Sequence, residues 1–314
     1  MIRTLMGASL LIGALGALPT TADANDPYVV RLTPANEVPL PGDDFYPEGI
    51  AISAEGDLYV GSLARNEIWR LVRQTKKIER FSAPDAKLLA VIGVHVSNDG
   101  RRLYACSSDP KGASPDRKSE LVTFDLQSGA VTGRAALPRG GLCNDIAELD
   151  DGTVLLTDSF GGRILSLAPG QDELAIWAAS PDFSGEGFNL NGIVAVDGAV
   201  FAVKYNSGEL FQFTRTRDGV THKRVVLARP LNGPDGLERL SGERLLVVEG
   251  FSGSVSAIDL ATGSVTMVAD KLDSPTTAAI NERFAYVVQG QLDHFFGMTQ
   301  GPPGPFSLKR VPLP

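Results

Sequence analysis

Hydrophobic and polar positions alternate with a period of two in short bursts along the chain. Examples are "EIWRL" at 67–71, "RILSL" at 163–167 and "ELFQF" at 209–213. The first two end the stretches "GDLYVGSLARNEIWRL" and "GTVLLTDSFGGRILSL"; "GAVFAVKYNSGELFQF" and "ERLLVVEGFSGSVSAI" are built the same way. Each is a β-rich run, a polar turn with Gly or Asn, then an alternating run. Period two in residues that favour strands predicts hairpins. Long helical periodicity is missing, as are the helices of about 10–15 residues that would join parallel strands. The fold class is all-β.

The hairpins are entered through junctions that repeat. They read "YPEGIAI" at 46–52, "VIGVHV" at 91–96, "LCNDIAEL" at 142–149, "LNGIVAV" at 190–196, "GPDGLERL" at 233–240 and "SPTTAAI" at 274–280. Marking Gly49, Gly93, Asp145, Gly192, Gly236 and Thr277 gives spacings of 44, 52, 47, 44 and 41 residues. That period suits four-stranded antiparallel propeller blades, and six units predict a six-bladed β-propeller. A β-sandwich would not require six equivalent junctions. Open sheet edges are a liability, so an N-terminal strand is expected to close the last blade. "YVVRLT" at 28–33 is the candidate, with "FSLKRV" at 306–311 as its neighbour. The sixth unit carries a Gly- and Pro-rich insertion, expected to be irregular and to cover one face of the ring.

Residues 1–24 read differently. A basic start at Arg3, an apolar run and Ala22 and Ala24 at an A-x-A pattern predict a secretory signal peptide. Residues 25–314 are then the propeller domain, in the periplasm or secreted. No later run reaches about 18 apolar residues, so no membrane span is expected there. The net charge of −8 argues against a nucleic-acid partner. Cys106 and Cys143 are the two cysteines. In an exported protein they either pair or lie as two buried thiols.

In a propeller the innermost strands line a central channel. The residue before each mark then occupies one equivalent place: Glu48, Ile92, Asn144, Asn191, Asp235 and Thr276. Four of these are strong oxygen donors from different blades. Two carboxylates and two amides suit a hard divalent cation, with Ca²⁺ favoured and magnesium a stricter alternative. The set has no Cys or His, which disfavours zinc and copper. Asn144 therefore reads as a ring member, although Asn and Asp at strand mouths also serve as turn residues.

"FYPEGIA", "CNDIAELDDGTVLLTDS", "NLNGI" and "GPDGL" resemble the gluconolactonase and senescence-marker-protein family of calcium-dependent six-bladed propellers. The resemblance runs from about Phe45 through blade five, and weakly through blade six. It implies a catalytic divalent ion on Glu48, Asn144, Asn191 and Asp235. It also implies hydrolysis of lactones, esters or organophosphates, with Asp235 and Glu48 as catalytic residues. Asp235 would activate a water or attack directly, and Asn144 would also meet the small-molecule substrate. The related paraoxonases add a His dyad; the matching places here are Ile92 and Ser108, so that dyad is absent. His95 is displaced in the strand alternation, which would turn it away from the channel. Strictosidine synthases lack the full metal set and fit less well.

Aligned hairpins place Asp158, Lys204 and Glu249 at equivalent positions, as either substrate contacts or a charged network. Asp145 is expected to fix the Asn144 amide or to touch a second calcium. His294 either reaches substrate or sits on an exposed loop, and Trp69 and Trp177 are packing residues. The rival readings are a non-enzymatic protein- or glycan-binding propeller with a structural calcium, and an organophosphate or phosphoester hydrolase.

Overall fold

The computed structural model describes residues 34–112, 116 and 118–313. The leader expected at 1–24 and the strand expected at 28–33 lie outside the described residues.

Six four-stranded antiparallel sheets follow one another along the chain. Their innermost strands are Pro47–Ile52, Ala90–Val96, Cys143–Glu148, Leu190–Val196, Pro234–Arg239 and Pro275–Ile280. Each touches the next, and the last returns to the first, so the ring is closed. The hairpin turns have the geometry their residues suggest. Asn66, Gly162, Gly208 and Gly253 precede the third strands of four blades and all adopt positive φ, between 57° and 72°, which Gly and Asn tolerate best.

Closure is made by Glu37–Pro39, which pairs antiparallel with Ser307–Pro312. The last blade thus takes three strands from the C-terminal end of the chain and its outer strand from the N-terminal side, leaving no open seam.

Apolar residues form six buried clusters, one between each pair of neighbouring blades. Trp69 packs edge-on to Phe45 between blades six and one, and Trp177 lies against Phe213 between blades three and four. Cys106 and Cys143 form a disulfide that ties blade two to blade three.

The sixth-blade insertion is more ordered than its composition suggested. It holds a one-turn helix, Leu292–Phe295. The Gln291 side chain clamps Gly304 through its backbone N–H and carbonyl. The Lys111 ammonium, from the second blade, donates to the Phe295 carbonyl and sits 3.8 Å from the centre of its ring.

Candidate metal site and pocket

All six innermost strands slip register at the same place. Two residues oppose one between Pro47 and Ile50, Val91 and Val94, Cys143 and Ile146, Leu190 and Ile193, Pro234 and Leu237, and Pro275 and Ala278. Such a bulge bends the strand and re-aims a side chain. The two residues of each bulge are the pair singled out in the sequence: the ring residue and its mark.

Four marks are glycines because the strands nearly touch there. A Cβ on Gly93 would collide with the Asn144 carbonyl, and one on Gly192 with the Asp235 carbonyl. In blade three the mark is Asp145. Its carboxylate accepts from its neighbour Ile146 N and from Ile193 N of blade four, both at 2.9 Å. Asp145 thus stitches two blades together through backbone rather than fixing the Asn144 amide.

Of the ring residues, Glu48, Asn144, Asn191 and Asp235 are brought together. They are the residues shared by a channel cavity of about 240 Å³ and a mouth pocket of about 440 Å³. Each is only 4–7% exposed. Ile92 lines the mouth pocket alone. Thr276 faces neither cavity and donates its hydroxyl to the Glu48 carbonyl at 2.8 Å.

The electrostatics of this group are unfavourable as they stand. Burial pushes the Glu48 carboxyl well above its ordinary range, and the charges of Asp235 and Asp145 push it further. Burial likewise raises Asp235, with Asp145 adding to it and a hydrogen bond from Asn191 opposing it. Asp145 is raised to about 6, mainly by burial. Among the described residues, neither Glu48 nor Asp235 has a Lys or Arg ion-pair partner. Like charges held out of water favour protonation unless a cation neutralises them. Among the described residues no group of three or more His, Cys, Asp and Glu side chains is placed to hold a metal. The two amides are therefore needed to complete a set, and an all-oxygen set of two carboxylates and two amides fits a hard divalent cation.

Three residues beyond the ring lies a second circle of channel-lining positions: Ala51, His95, Ala147, Val194, Glu238 and Ala279. His95 is therefore inside the channel, contrary to the alternation read from the sequence. The bulge adds one residue and inverts the face of everything after it. His95 Nε2 is buried with no hydrogen-bond partner, and burial lowers the ring to about 4, so it is neutral near pH 7. Glu238, which the sequence reading passed over, is raised to about 8 by burial and by Asp145.

Asp158, Lys204 and Glu249 line neither the channel nor the mouth pocket. The expectation of substrate contact is corrected for all three. They sit opposite Cys143, Leu190 and Pro234, just before the bulges, and their side chains hold loops. Asp158 accepts from Leu142 N and Gly161 N and pairs with Arg163 Nε at 2.8 Å. Lys204 Nζ donates to the carbonyls of Asp182 and Ser184. Glu249 takes two bonds from Arg229 and one each from Ser256 and Asn232 N. The three make separate contacts rather than one charged network, and all are buried rather than solvated. His294 belongs to the short helix, half-buried, and lines neither cavity.

The wall of the mouth pocket comes from loops. Phe188 stands between blades three and four, Tyr205 and Phe251 sit at hairpin turns, and Leu292, Phe296 and Met298 come from the sixth-blade insertion. Phe188, Tyr205 and Phe251 form an edge-to-face chain, with ring centres 5.9 and 5.0 Å apart. Burial and the nearby Asp235 charge raise the Tyr205 phenol, so it remains a hydrogen-bond donor at neutral pH.

Fold and site together define a six-bladed propeller with an oxygen-lined centre under an aromatic mouth. Residues 30–64, which hold the closing strand and the first two strands of blade one, match the family model "Strictosidine synthase-like, N-terminal". No curated protein matches the chain significantly. Among solved structures it is similar to a gluconolactonase from Xanthomonas campestris, at 16% identity and a TM-score of 0.63, covering 87% of this chain and 89% of that one. A putative gluconolactonase aligns at 15% identity and a TM-score of 0.62, over 90% of this chain and 94% of that one. A virginiamycin B lyase from Staphylococcus aureus aligns at 14% identity and a TM-score of 0.59, over 88% and 98%. The resemblance to gluconolactonase propellers is thus found again in the fold. At these identities the fold is what is shared.

Proposed function

We propose that the protein is a hydrolase of lactones or related esters that works with one divalent cation, calcium, held by Glu48, Asn144, Asn191 and Asp235. The observation that supports this most directly is the convergence of these four oxygen-bearing side chains, from four blades, at the floor of a pocket. Two of them are buried carboxylates with no cationic side-chain partner among the described residues. When bound, the ion supplies positive charge that polarises a carbonyl and stabilises the developing oxyanion.

The chain's own residues complete the chemistry. Asp235 takes the proton of an attacking water or attacks the carbonyl itself. The Asn191 amide holds its carboxylate in place. The Tyr205 phenol, beside Asp235, donates a hydrogen bond to the substrate. The loop wall keeps bulk water out, which strengthens these interactions. An exported location is part of the proposal and is supported by the Cys106–Cys143 disulfide.

The test is a calorimetric calcium titration of chelator-treated protein, run beside turnover of lactones, aryl esters and organophosphates. The expected result is one ion per chain, with binding and lactone or ester turnover both lost in Asp235→Asn. Calcium binding without turnover of any substrate would favour a binding propeller with a structural ion. Turnover of organophosphates alone would favour the phosphoester reading. A single turnover in ¹⁸O-water separates the two routes, since label appearing in Asp235 marks it as the nucleophile.

A further inference from the structure

Beyond the four metal-site residues, the mouth pocket has almost no polar groups. Phe188, Phe251, Leu292, Phe296 and Met298 line it with other apolar residues, and the Tyr205 hydroxyl is the one further side-chain donor in the lining. Five large apolar side chains stand exposed among the described residues, and three of them gather here. Phe251 and Met298 line the pocket at 67% and 71% exposure, and Phe160, at 46%, packs on Phe188 with ring centres 5.5 Å apart. Exposed apolar side chains clustered around a concave site mark a place where an apolar group is received.

We infer that the substrate is a lactone or ester carrying an alkyl or aryl body rather than a polyhydroxylated sugar lactone. The inference rests on the hydrolase reading above and narrows it. The reactive carbonyl lies at the oxygen-lined floor and beside Tyr205. The apolar body lies against Phe251, Met298 and the Phe188–Phe296 ring pair, whose centres are 6.5 Å apart. A sugar lactone would press several hydroxyls against this wall. One phenol cannot satisfy them, and a buried hydroxyl without a partner weakens binding. An alkyl chain needs no partner and gains from leaving water. A cavity of about 440 Å³ has room for a ring with a side chain of six or more carbons.

The experiment uses the full calcium-loaded protein. kcat/KM is measured for γ-valerolactone, γ-decalactone and D-glucono-1,5-lactone. Binding of 5-methyl- and 5-hexylpyrrolidin-2-one, lactams that resist hydrolysis, is measured by calorimetry. A fully buried methylene is worth about fourfold. Burying half of the five added in γ-decalactone raises kcat/KM by about 30-fold over γ-valerolactone, and the hexyl lactam binds tighter by a similar factor. Phe251→Ser and Met298→Ser, both at the exposed rim, each flatten that rise by at least about threefold. If no lactone turns over but the hexyl lactam keeps its preference, the hydrolase reading fails while the apolar pocket stands. If gluconolactone is the best substrate, or the two lactams bind equally or not at all, the apolar assignment is overturned, whatever becomes of the hydrolase.

Discussion

Glu238 gives the clearest test of the channel's electrostatics. Its carboxyl, ordinarily near 4.5, is raised to about 8 by burial first and by Asp145 second. The folded protein therefore keeps this proton up to about pH 8, whereas the unfolded chain loses it near 4.5. Between those values the folded state binds more protons, so stability falls as pH rises through the window. At about 1.36 kcal/mol per pH unit, the full loss would approach about 5 kcal/mol above pH 8. The side chain is only half-buried and lines the open channel, so screening reduces this to about 2–4 kcal/mol. Glu238→Gln keeps the shape and removes the charge. It should match wild type near pH 4.5 and gain about 2–4 kcal/mol by pH 8.5. Urea denaturation at several pH values, in chelator, reads this as a midpoint difference that grows with pH at constant slope. A variant no more stable than wild type at pH 8.5, or a pH-independent difference, would refute the assignment of a strained acid in the channel.

His95 acts at the other end of the pH scale. Its ring is lowered to about 4, so stability falls as pH drops from about 6.5 towards 4, and His95→Gln should remove that part of the acid sensitivity in the same assay. Reducing the Cys106–Cys143 disulfide, which spans 37 residues, should cost about 4 kcal/mol on the loop-entropy estimate, read as a lower urea midpoint with unchanged calcium stoichiometry. Asp145→Gly restores the residue used in four other blades but leaves Ile146 N and Ile193 N without their acceptor; a loss of about 1–3 kcal/mol per donor is expected by denaturation. Gly93→Ala drives a methyl into the Asn144 carbonyl. It should destabilise by about 1–3 kcal/mol and weaken calcium binding in calorimetry by displacing Asn144.

The sequence could be read to the level of blades because hairpins and junctions obey local rules. Period-two strands, Gly or Asn at positive φ and a recurring junction fix blade number without knowledge of packing. The set of Glu48, Asn144, Asn191 and Asp235 was legible for the same reason: a carboxylate or amide recurs at one place in four of the six units. The mouth was not legible. Phe188, Tyr205, Phe251 and Met298 come from turns and an insertion with no shared period, and only the closed ring brings them together. Asp158, Lys204 and Glu249 shared a strand position, but that position faces loops rather than the channel.

The misplacement of His95 follows from a single geometric cause, and the same cause explains the channel. Strict alternation from Ile92 would put Val94 in the channel and His95 outside. The bulge inserts one unpaired residue, so the inward set resumes three positions on instead of two. Ile50, Val94, Ile146, Ile193, Leu237 and Ala278 consequently fall into six different clusters between blades. The positions after them turn inward, where Ala51, Ala147, Val194 and Ala279 stay small or apolar and only His95 and Glu238 carry titratable groups. One repeated irregularity thus aims four of the ring side chains at a common point and buries the residue that follows each bulge in the core. Removing a bulge would force a choice between a metal ligand and a core residue in that blade. Deleting Gly192 should therefore cost both folding stability and calcium affinity, whereas a substitution that spares the bulge can affect one alone.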